Sequence, residues 1–297
     1  MKNIALISHD SGGAEVLSSW IQVQNLNCLT VLQGPAVDIF EKKGIKNSSY
    51  DLFDAINESN YVITSTSWQS NLEKEAIIIS KKLGKYVISL IDHWVNYKER
   101  FILNGTLNLP NEIWVTDDYA LKIAKSNFLD IKIKKVENYY LKNIEAIVKE
   151  KISFQNNLKK NFNALFIGEN ISEHSLKQNN NKYSFGYTEE QALQYLLENF
   201  KNLKFDINEL QIRPHPSDKK NKYNWALKYE FVKSISNSNE LIEDICNFDF
   251  IFGCESMALV ISLIAKKKVI SCIPIKTKKS SLPFKNIIHL SDLIKNT

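Results

Sequence analysis

One rhythm constrains this chain more than anything else in it: short, mainly apolar runs, each passing into polar or glycine residues and each followed by a helical pattern. In the first half the runs are Ile4–Ser8, Leu29–Leu32, Tyr61–Ser67, Tyr86–Ile91 and Ile113–Thr116. They are predominantly hydrophobic rather than alternating, which marks strands buried on both faces, the condition of a parallel sheet. Between them lie the helical patterns Val16, Leu17, Trp20 and Ile21, then Ala36–Lys43, Asn71–Leu83 and Tyr119–Ser126. Strand and helix alternating over about 130 residues predict an open α/β layer with helices on its faces.

The rhythm stops in the lysine- and asparagine-rich stretch Tyr139–Phe162 and resumes at Ala164–Glu169. That break predicts a boundary, with residues 1–155 as one domain and 156–297 as a second. In the second half Asn170–Phe185 is polar and is expected to be a mobile loop. Thr188-Glu189-Glu190 opens a helix carried by Ala192, Leu193, Leu196 and Leu197. A strand through Leu210 and Ile212 follows, then a helix-prone region at Trp225 and a strand Phe231–Ile235. A helix from Asn239 or Glu240 to Cys246, a strand Phe248–Phe252, a helix through Ala265 and strands Val269–Ile273 and Ile287–Leu290 complete a second α/β layer.

Composition narrows the function classes. A hydrophobic content of 44%, a charged content of 24% and a net charge of +5 describe an ordinary globular chain, without the basic excess of a nucleic-acid binder. The four cysteines Cys28, Cys246, Cys254 and Cys272 form no CxxC pair, so they read as buried reduced thiols rather than zinc ligands. The N-terminal apolar run is too short for a signal peptide, and no window is long enough to span a bilayer. A cytoplasmic location is expected, with the mild positive charge leaving room for peripheral association at the inner face of the membrane. Lys276, Lys278 and Lys279 read as a solvated loop rather than a lipid-binding patch.

In open α/β sheets ligands sit at the carboxyl ends of the strands, so Asp10, Ser65, Thr66, Asp92, His93 and Asp117 are expected on one rim. The first strand runs into His9-Asp10-Ser11-Gly12-Gly13-Ala14-Glu15, which lacks the GxGxxG spacing of a dinucleotide loop. Gly12 and Gly13 let backbone approach a ligand closely, and Asp10 and Glu15 bring carboxylates to the same edge. Asp10 or Ser11 could equally serve as the helix cap, and Glu15 as a complement to its dipole. Asp92-His93-Trp94 stands after a buried strand, placed to contact an acceptor or to line a domain surface. Asp117-Asp118 reads as a helix cap.

Two further stretches carry the chemistry. Ile212-Arg213-Pro214-His215-Pro216-Ser217 sets a cation and an imidazole between prolines that stiffen the turn. Gly253-Cys254-Glu255-Ser256-Met257-Ala258 turns an apolar strand through glycine into a helix N-terminus, a place suited to hold a phosphate.

Together these stretches resemble the GT-B glycosyltransferases and the UDP-GlcNAc 2-epimerase-like proteins: two Rossmann-like α/β domains facing a cleft. The segment Leu241–Pro274 carries most of the likeness. Arg213-Pro214-His215-Pro216 resembles the HP motif of bacterial sialyl-, polysialyl- and Kdo transferases, which use CMP-sugars, and Ser256 stands where their serine motif opens a helix. The N-terminal Asp10–Glu15 loop is similar to the acidic, glycine-containing loop that supplies their general base.

The resemblance implies an N-terminal acceptor domain and a C-terminal nucleotide-sugar donor domain. It implies transfer of a sugar, Kdo or a sialic-acid-like nonulosonate, to a surface-polysaccharide or lipid-linked glycan. His215 would act on the phosphate leaving group, Arg213 would balance charge or position His215, and Asp10 or Glu15 would be the base. Gly12, Gly13, Pro216, Gly253, Glu255, Ser256 and Met257 would line the donor site, and His9, Asp92 and His93 the acceptor site. No cofactor is implied, and no DxD-like pair stands in the donor half to hold a metal. Glu255 departs from the pattern, since a serine or threonine would be expected there. A carboxylate at that place suits a ribose hydroxyl, as in UDP-sugar enzymes, and keeps a UDP-sugar transferase or a 2-epimerase-like enzyme as the alternative. A non-catalytic nucleotide-binding protein is the third reading.

Overall fold

The structure is a computed structural model that describes residues 4–67, 70–153, 162–274 and 280–294. The expected boundary near residue 155 and the lysines Lys276, Lys278 and Lys279 lie outside the described residues. The chain forms two compact units, Met1–Lys142 and Asn143–Thr297.

The first unit runs β1 (Ile4–Ser8), α1 (Ser11–Gln24), β2 (Cys28–Leu32), α2 (Pro35–Lys42), α3 (Leu52–Asn57), β3 (Tyr61–Thr64), α4 (Leu72–Lys82) and β4 (Tyr86–Leu90). It continues with β5 (Ile102–Leu103), β6 (Thr106–Leu107), β7 (Glu112–Val115), α5 (Asp118–Asn127) and β8 (Lys132–Lys135), and the helix α6 (Tyr139–Ser153) follows. Six strands form a parallel sheet in the order β2-β1-β3-β4-β7-β8, and β5-β6 is a separate antiparallel hairpin. The apolar runs become strands because both faces are covered: Ile4, Leu6, Leu17, Ile21, Phe40 and Trp114 are buried in one cluster.

β8 is the strand the sequence conceals. Lys132-Ile133-Lys134-Lys135 has one apolar residue, yet it pairs in parallel with β7. Its anchor is the buried Glu112, whose Oε2 receives Lys132 Nζ at 2.7 Å and Tyr86 Oη at 3.1 Å, while Trp114 Nε1 donates to Oε1 at 2.8 Å. Lysines on a sheet edge also discourage pairing with another chain.

The second unit runs β9 (Phe162–Ile167), α7 (Ile171–Asn179), α8 (Glu189–Asn199), β10 (Ile207–Arg213), β11 (Val232–Ile235), α9 (Leu241–Asn247), β12 (Phe250–Gly253), α10 (Met257–Ile264), β13 (Lys268–Ser271) and β14 (Ile287–His289). Its six-stranded sheet has the order β11-β10-β9-β12-β13-β14, all parallel. Phe166, Tyr187, Leu196, Leu210, Tyr223, Phe250 and Phe252 form its core. The expected cap at Thr188 is a full capping box, closed reciprocally with Gln191.

The loop expected over Asn170–Phe185 is corrected: its first part is the helix α7. Buried Glu189 accepts from the Ser172 backbone N–H at 2.9 Å, tying down the helix start, and Asn180 closes the far end in the left-handed region at φ 51°. The polar composition concealed this because the helix is held by side-chain hydrogen bonds rather than by an apolar stripe.

Both sheets share one topological property. The chain starts in a central strand, builds outward to one side, then crosses to the other. The switch falls between β1 and β3 in the first unit and between β9 and β12 in the second. A crevice opens at such a point beyond the carboxyl ends of the strands, where α/β proteins place ligands.

Candidate functional site

In the first unit the switch crevice is built around Asp10. This residue opens α1, but its carboxylate makes no capping bond to the helix. Instead Oδ1 accepts from His9 Nδ1 at 2.7 Å and from Ser67 Oγ at 2.8 Å, which ties the ends of β1 and β3 together. The Asp10 side chain keeps 20% of its surface exposed, so it is held in place yet open to a proton-bearing group. The His9 ring packs against Gly34, where φ is +53° and a Cβ would lie 2.6 Å from Nε2. Glycine at 34 thus serves both the left-handed turn and the room for the imidazole.

Beneath this pair lies Glu73, in the first turn of α4 and 1% exposed. Its Oε1 accepts from the His9 backbone N–H and from Ser65 Oγ, both at 2.8 Å, and its Oε2 is buried with no partner. Burial pushes the Glu73 carboxyl above the usual carboxylate range, with the nearby Asp10 charge adding to the rise and the Ser65 and backbone bonds opposing it.

Gly12 and Gly13 serve close approach, but to protein groups. A Cβ on Gly12 would lie 2.0 Å from Asp92 Oδ2, and one on Gly13 would lie 2.4 Å from the Ser65 Cβ. Asp92 is in turn held by the buried Arg100, whose Nη1 reaches Asp92 Oδ1 at 3.5 Å and Thr66 Oγ1 at 3.2 Å. His9, Asp10, Ser65, Thr66, Ser67 and Asp92 therefore share one cluster. Glu15 is engaged elsewhere, with Oε2 2.6 Å from Lys43 Nζ. His93 stacks tilted against Trp94, whose indole N–H is fixed on Asp117 at 2.9 Å. Asp117 caps α5 through the Ala120 N–H, as its sequence position predicts.

In the second unit the switch crevice is organised by Gly168-Glu169-Asn170 at the end of β9. Glu169 Oε1 accepts three successive backbone N–H groups, Cys254 and Glu255 at 2.9 Å and Ser256 at 3.1 Å. These are amides the sequence suggested for a phosphate, and an internal carboxylate takes them. Glu169 is 9% exposed, and burial pushes it up to about 7, with the three N–H bonds holding it down and the Glu255 charge pushing the same way as burial.

Ser256 is the cap residue of α10, but its hydroxyl makes no capping bond and its buried Oγ has no partner. It sits beside the N–H groups of Met257 and Ala258, which a helix cannot pair internally. Glu255 is turned away from them: Tyr187 Oη donates to its Oε1 at 3.1 Å and the Ser281 N–H to its Oε2 at 2.9 Å. Gly253 is closely packed, since a Cβ there would lie 3.0 Å from Leu259 Cδ2.

On the other side of β9, Asn170 Nδ2 donates to Ser217 Oγ at 2.8 Å, and Ser217 Oγ lies 2.7 Å from His215 Nδ1. The Ser217 backbone N–H also points at Nδ1, at 3.2 Å. With an N–H aimed at it, Nδ1 is the acceptor, so the neutral ring carries its proton on Nε2. Burial holds His215 below its ordinary value of 6.5, with Asp218 pulling it up and Lys222 pushing it down. Near neutral pH it is an uncharged imidazole with a directed Nε2–H.

Arg213 is buried and bound to Asp244, with Nη1 also donating to the Asn239 carbonyl at 2.9 Å. It fixes the end of β10 to α9. Lys222 is likewise committed to Glu189 and to Asp218 at 2.6 Å, and Asp218 accepts the His215 backbone N–H at 2.8 Å. Pro216 is exposed and Met257 half-buried beside these groups.

Four residues of these crevices escaped the sequence: Glu73, Arg100, Glu169 and Asn170. Arg100 and Glu73 carry no local motif. Glu169-Asn170 did carry a signal, two hydrogen-bonding side chains directly after a buried strand and a glycine.

Neither a protein-family profile nor a curated protein matches the sequence. Solved structures do. UDP-GlcNAc 2-epimerase from Methanocaldococcus jannaschii is similar at 13% identity with a TM-score of 0.57, over 91% of this chain and 83% of that one. MurG from Acinetobacter baumannii is similar at 12% identity with a TM-score of 0.53, over 99% and 80%. MnaA from S. aureus, solved with UDP, is similar at 11% identity with a TM-score of 0.55, over 91% and 79%. What the chain shares with them is the fold, an α/β architecture of the GT-B class.

Proposed function

We propose that the chain is a glycosyltransferase that moves a sugar from a nucleotide-sugar donor to a glycan or lipid-linked acceptor. The second unit holds the donor and the first supplies the base. The observation that carries this reading is the Asn170–Ser217–His215 relay, which turns an HP dipeptide into a hydrogen-bond donor of fixed direction. His215 Nε2–H would stabilise the phosphate as it leaves, while Ser256 Oγ and the first N–H groups of α10 hold it. Asp10, oriented by His9 and Ser67, would take the proton of the acceptor hydroxyl as the glycosidic bond forms. Arg213 contributes by fixing the strand end beneath His215 rather than by touching the donor. Asp92 shapes the surroundings of Asp10 through Gly12, and His93 remains for the acceptor.

A CMP-linked sugar, Kdo or a sialic-acid-like nonulosonate, is the favoured donor. Its single phosphate matches one imidazole donor and one free hydroxyl. The second reading is a UDP-sugar enzyme, either a transferase or a 2-epimerase-like isomerase. It is favoured by Glu255, whose carboxylate is held by Tyr187 and Ser281 as a ribose-binding acid would be. One neighbour of the same fold was solved with UDP.

Thermal shift with CMP, CDP, UDP and GDP, on the native chain and on His215→Ala, tests the reading. A ligand that binds only the folded state raises the melting temperature with the logarithm of its concentration. Stabilisation by CMP that is lost in His215→Ala is the expected result. Stabilisation by UDP alone selects the second reading. No shift with any nucleotide overturns both.

A further inference from the structure

The loop that should receive the donor's phosphate already contains an anion of the protein's own. Cys254, Glu255 and Ser256 present three successive N–H groups to one oxygen of Glu169. Three amides converging on one acceptor define the turn that leads into α10, so Glu169 determines the shape of this loop. It also leaves a phosphate the anchors just beyond: the unpartnered Ser256 Oγ and the first N–H groups of α10. A phosphate on those anchors and a carboxylate on the Ser256 N–H would be two anions attached to the same residue.

Little offsets that repulsion. The titratable groups that face Glu169 are Glu255 and Cys254 on the same loop, Cys272 beyond β13 and Tyr187 ahead of α8, each neutral or negative. His215, at the end of β10, has Asp218, Lys222, Glu173 and Glu189 as its charged neighbours. The nearby cations are committed, Arg213 to Asp244 and Lys222 to Glu189 and Asp218.

Resting on the donor-site reading above, we propose that Glu169 is the positioning residue of the donor loop and that a nucleotide phosphate settles at the start of α10 together with a proton on Glu169. The protonated carboxyl keeps a carbonyl oxygen for the three amides while losing its charge. The proton is accessible, because burial by the protein alone already brings Glu169 to about 7. A bound phosphate raises that value further, since like charges favour the neutral form. Affinity is then highest at and below neutral pH. Above it, affinity falls by up to about tenfold per pH unit until the value in the complex is reached, as linkage to a single proton requires.

The test is CMP affinity by calorimetry between pH 7.5 and 9, for the native chain, Glu169→Gln and Glu169→Ala. In this window the second ionisation of the nucleotide phosphate, near about 6, is complete, and His215 is neutral. The native chain should lose affinity with rising pH and take up protons from buffer on binding, read as a dependence of binding heat on buffer ionisation. Glu169→Gln keeps the acceptor and removes the charge, so it should bind at pH 9 as tightly as at pH 7.5 with no proton uptake. Glu169→Ala loses the turn and should bind weakly throughout, with rescue by glutamine separating charge from shape. A pH slope in Glu169→Gln equal to the native one overturns the proposal and leaves the donor site standing. A native chain that binds no nucleotide at any pH overturns the donor site, and this inference falls with it.

Discussion

The two switch points of this molecule are built from similar parts and leave opposite chemistry in the open. Each has a buried glutamate that accepts backbone N–H groups from a neighbouring strand end, Glu73 from His9 in the first unit and Glu169 from Cys254–Ser256 in the second. Each has a buried arginine on a nearby carboxylate, Arg100 on Asp92 and Arg213 on Asp244. In the first unit a second carboxylate, Asp10, stays partly exposed above the buried one. In the second a part-buried imidazole, His215, stands at one strand end and the buried, unpartnered Ser256 hydroxyl at another, with the acid Glu169 buried between backbone N–H groups. On the proposed reading one crevice would accept a proton and the other would donate hydrogen bonds to an anion. Architecture is shared, and the side chains carried at the strand ends differ.

Removing the open carboxylate should break this comparison most sharply. Asp10→Asn keeps the shape and the hydrogen bonds from His9 and Ser67 but abolishes basicity. Transfer turnover should fall by about 10²- to 10⁴-fold, the range for a lost general base, with nucleotide affinity unchanged. Glu15→Gln, at a residue tied to Lys43, should leave turnover within about threefold, far below a general base's contribution. Equal losses in the two variants would remove Asp10 from its role.

The arginines test the comparison at the level of stability. Arg213→Met leaves Asp244 buried without its partner and should cost about 3–5 kcal/mol, read as a lowered urea midpoint. Arg100→Met should cost less, because its pair with Asp92 is 3.5 Å long and Asp92 is 13% exposed. The reverse order would mean that the first crevice, not the second, is the more tightly held.

Much of this was legible in advance, for stated physical reasons. Strands buried on both faces advertise themselves as mainly apolar runs, so β1, β4, β7, β9 and β12 stood out, and the polar residues following them marked the rims. β8 did not, because it is held by a lysine, Lys132, reaching a glutamate on the neighbouring strand rather than by an apolar run. Asp10 and His215 could be named as candidates because local motifs frame them. Glu73 and Arg100 were not, since their partners lie across the sheet: Glu73 holds His9, and Arg100 holds Thr66 on another strand end. Glu169 was visible but taken as the end of a strand, and its engagement with residues far along the chain is a tertiary fact.

Intermediate effects belong to the relay. His215→Ala should weaken CMP binding about tenfold, the value of one hydrogen bond to a charged group. Ser217→Ala should weaken it less. It removes the hydroxyl beside Nδ1 but leaves the Ser217 N–H, so the tautomer is biased rather than fixed. Equal losses would show that the ring's orientation, not its presence, carries the donor contact.

The smallest expected effect separates the two buried glutamates. Glu73 is raised above the ordinary carboxylate range in the folded chain, so its protonated form is favoured by folding. Its stabilising contribution is therefore complete below the unfolded value near about 4.3 and is lost as pH rises through the folded one. Glu73→Gln holds the neutral shape at every pH, keeps an acceptor for His9 and Ser65, and sets an amide where Oε2 has no partner. The variant should match the native chain in acid and exceed it slightly in melting temperature toward neutral pH. Glu169→Gln should show the same behaviour, with the native chain losing ground as pH rises through about 7, where burial pushes Glu169. Burial favours the protonated form of both glutamates, and Glu169 has the unpartnered Ser256 hydroxyl and the start of α10 beside it, through which its proton would couple to a ligand. A Glu169→Gln chain whose melting temperature tracked the native one across neutral pH would show that Glu169 does not hold a proton there.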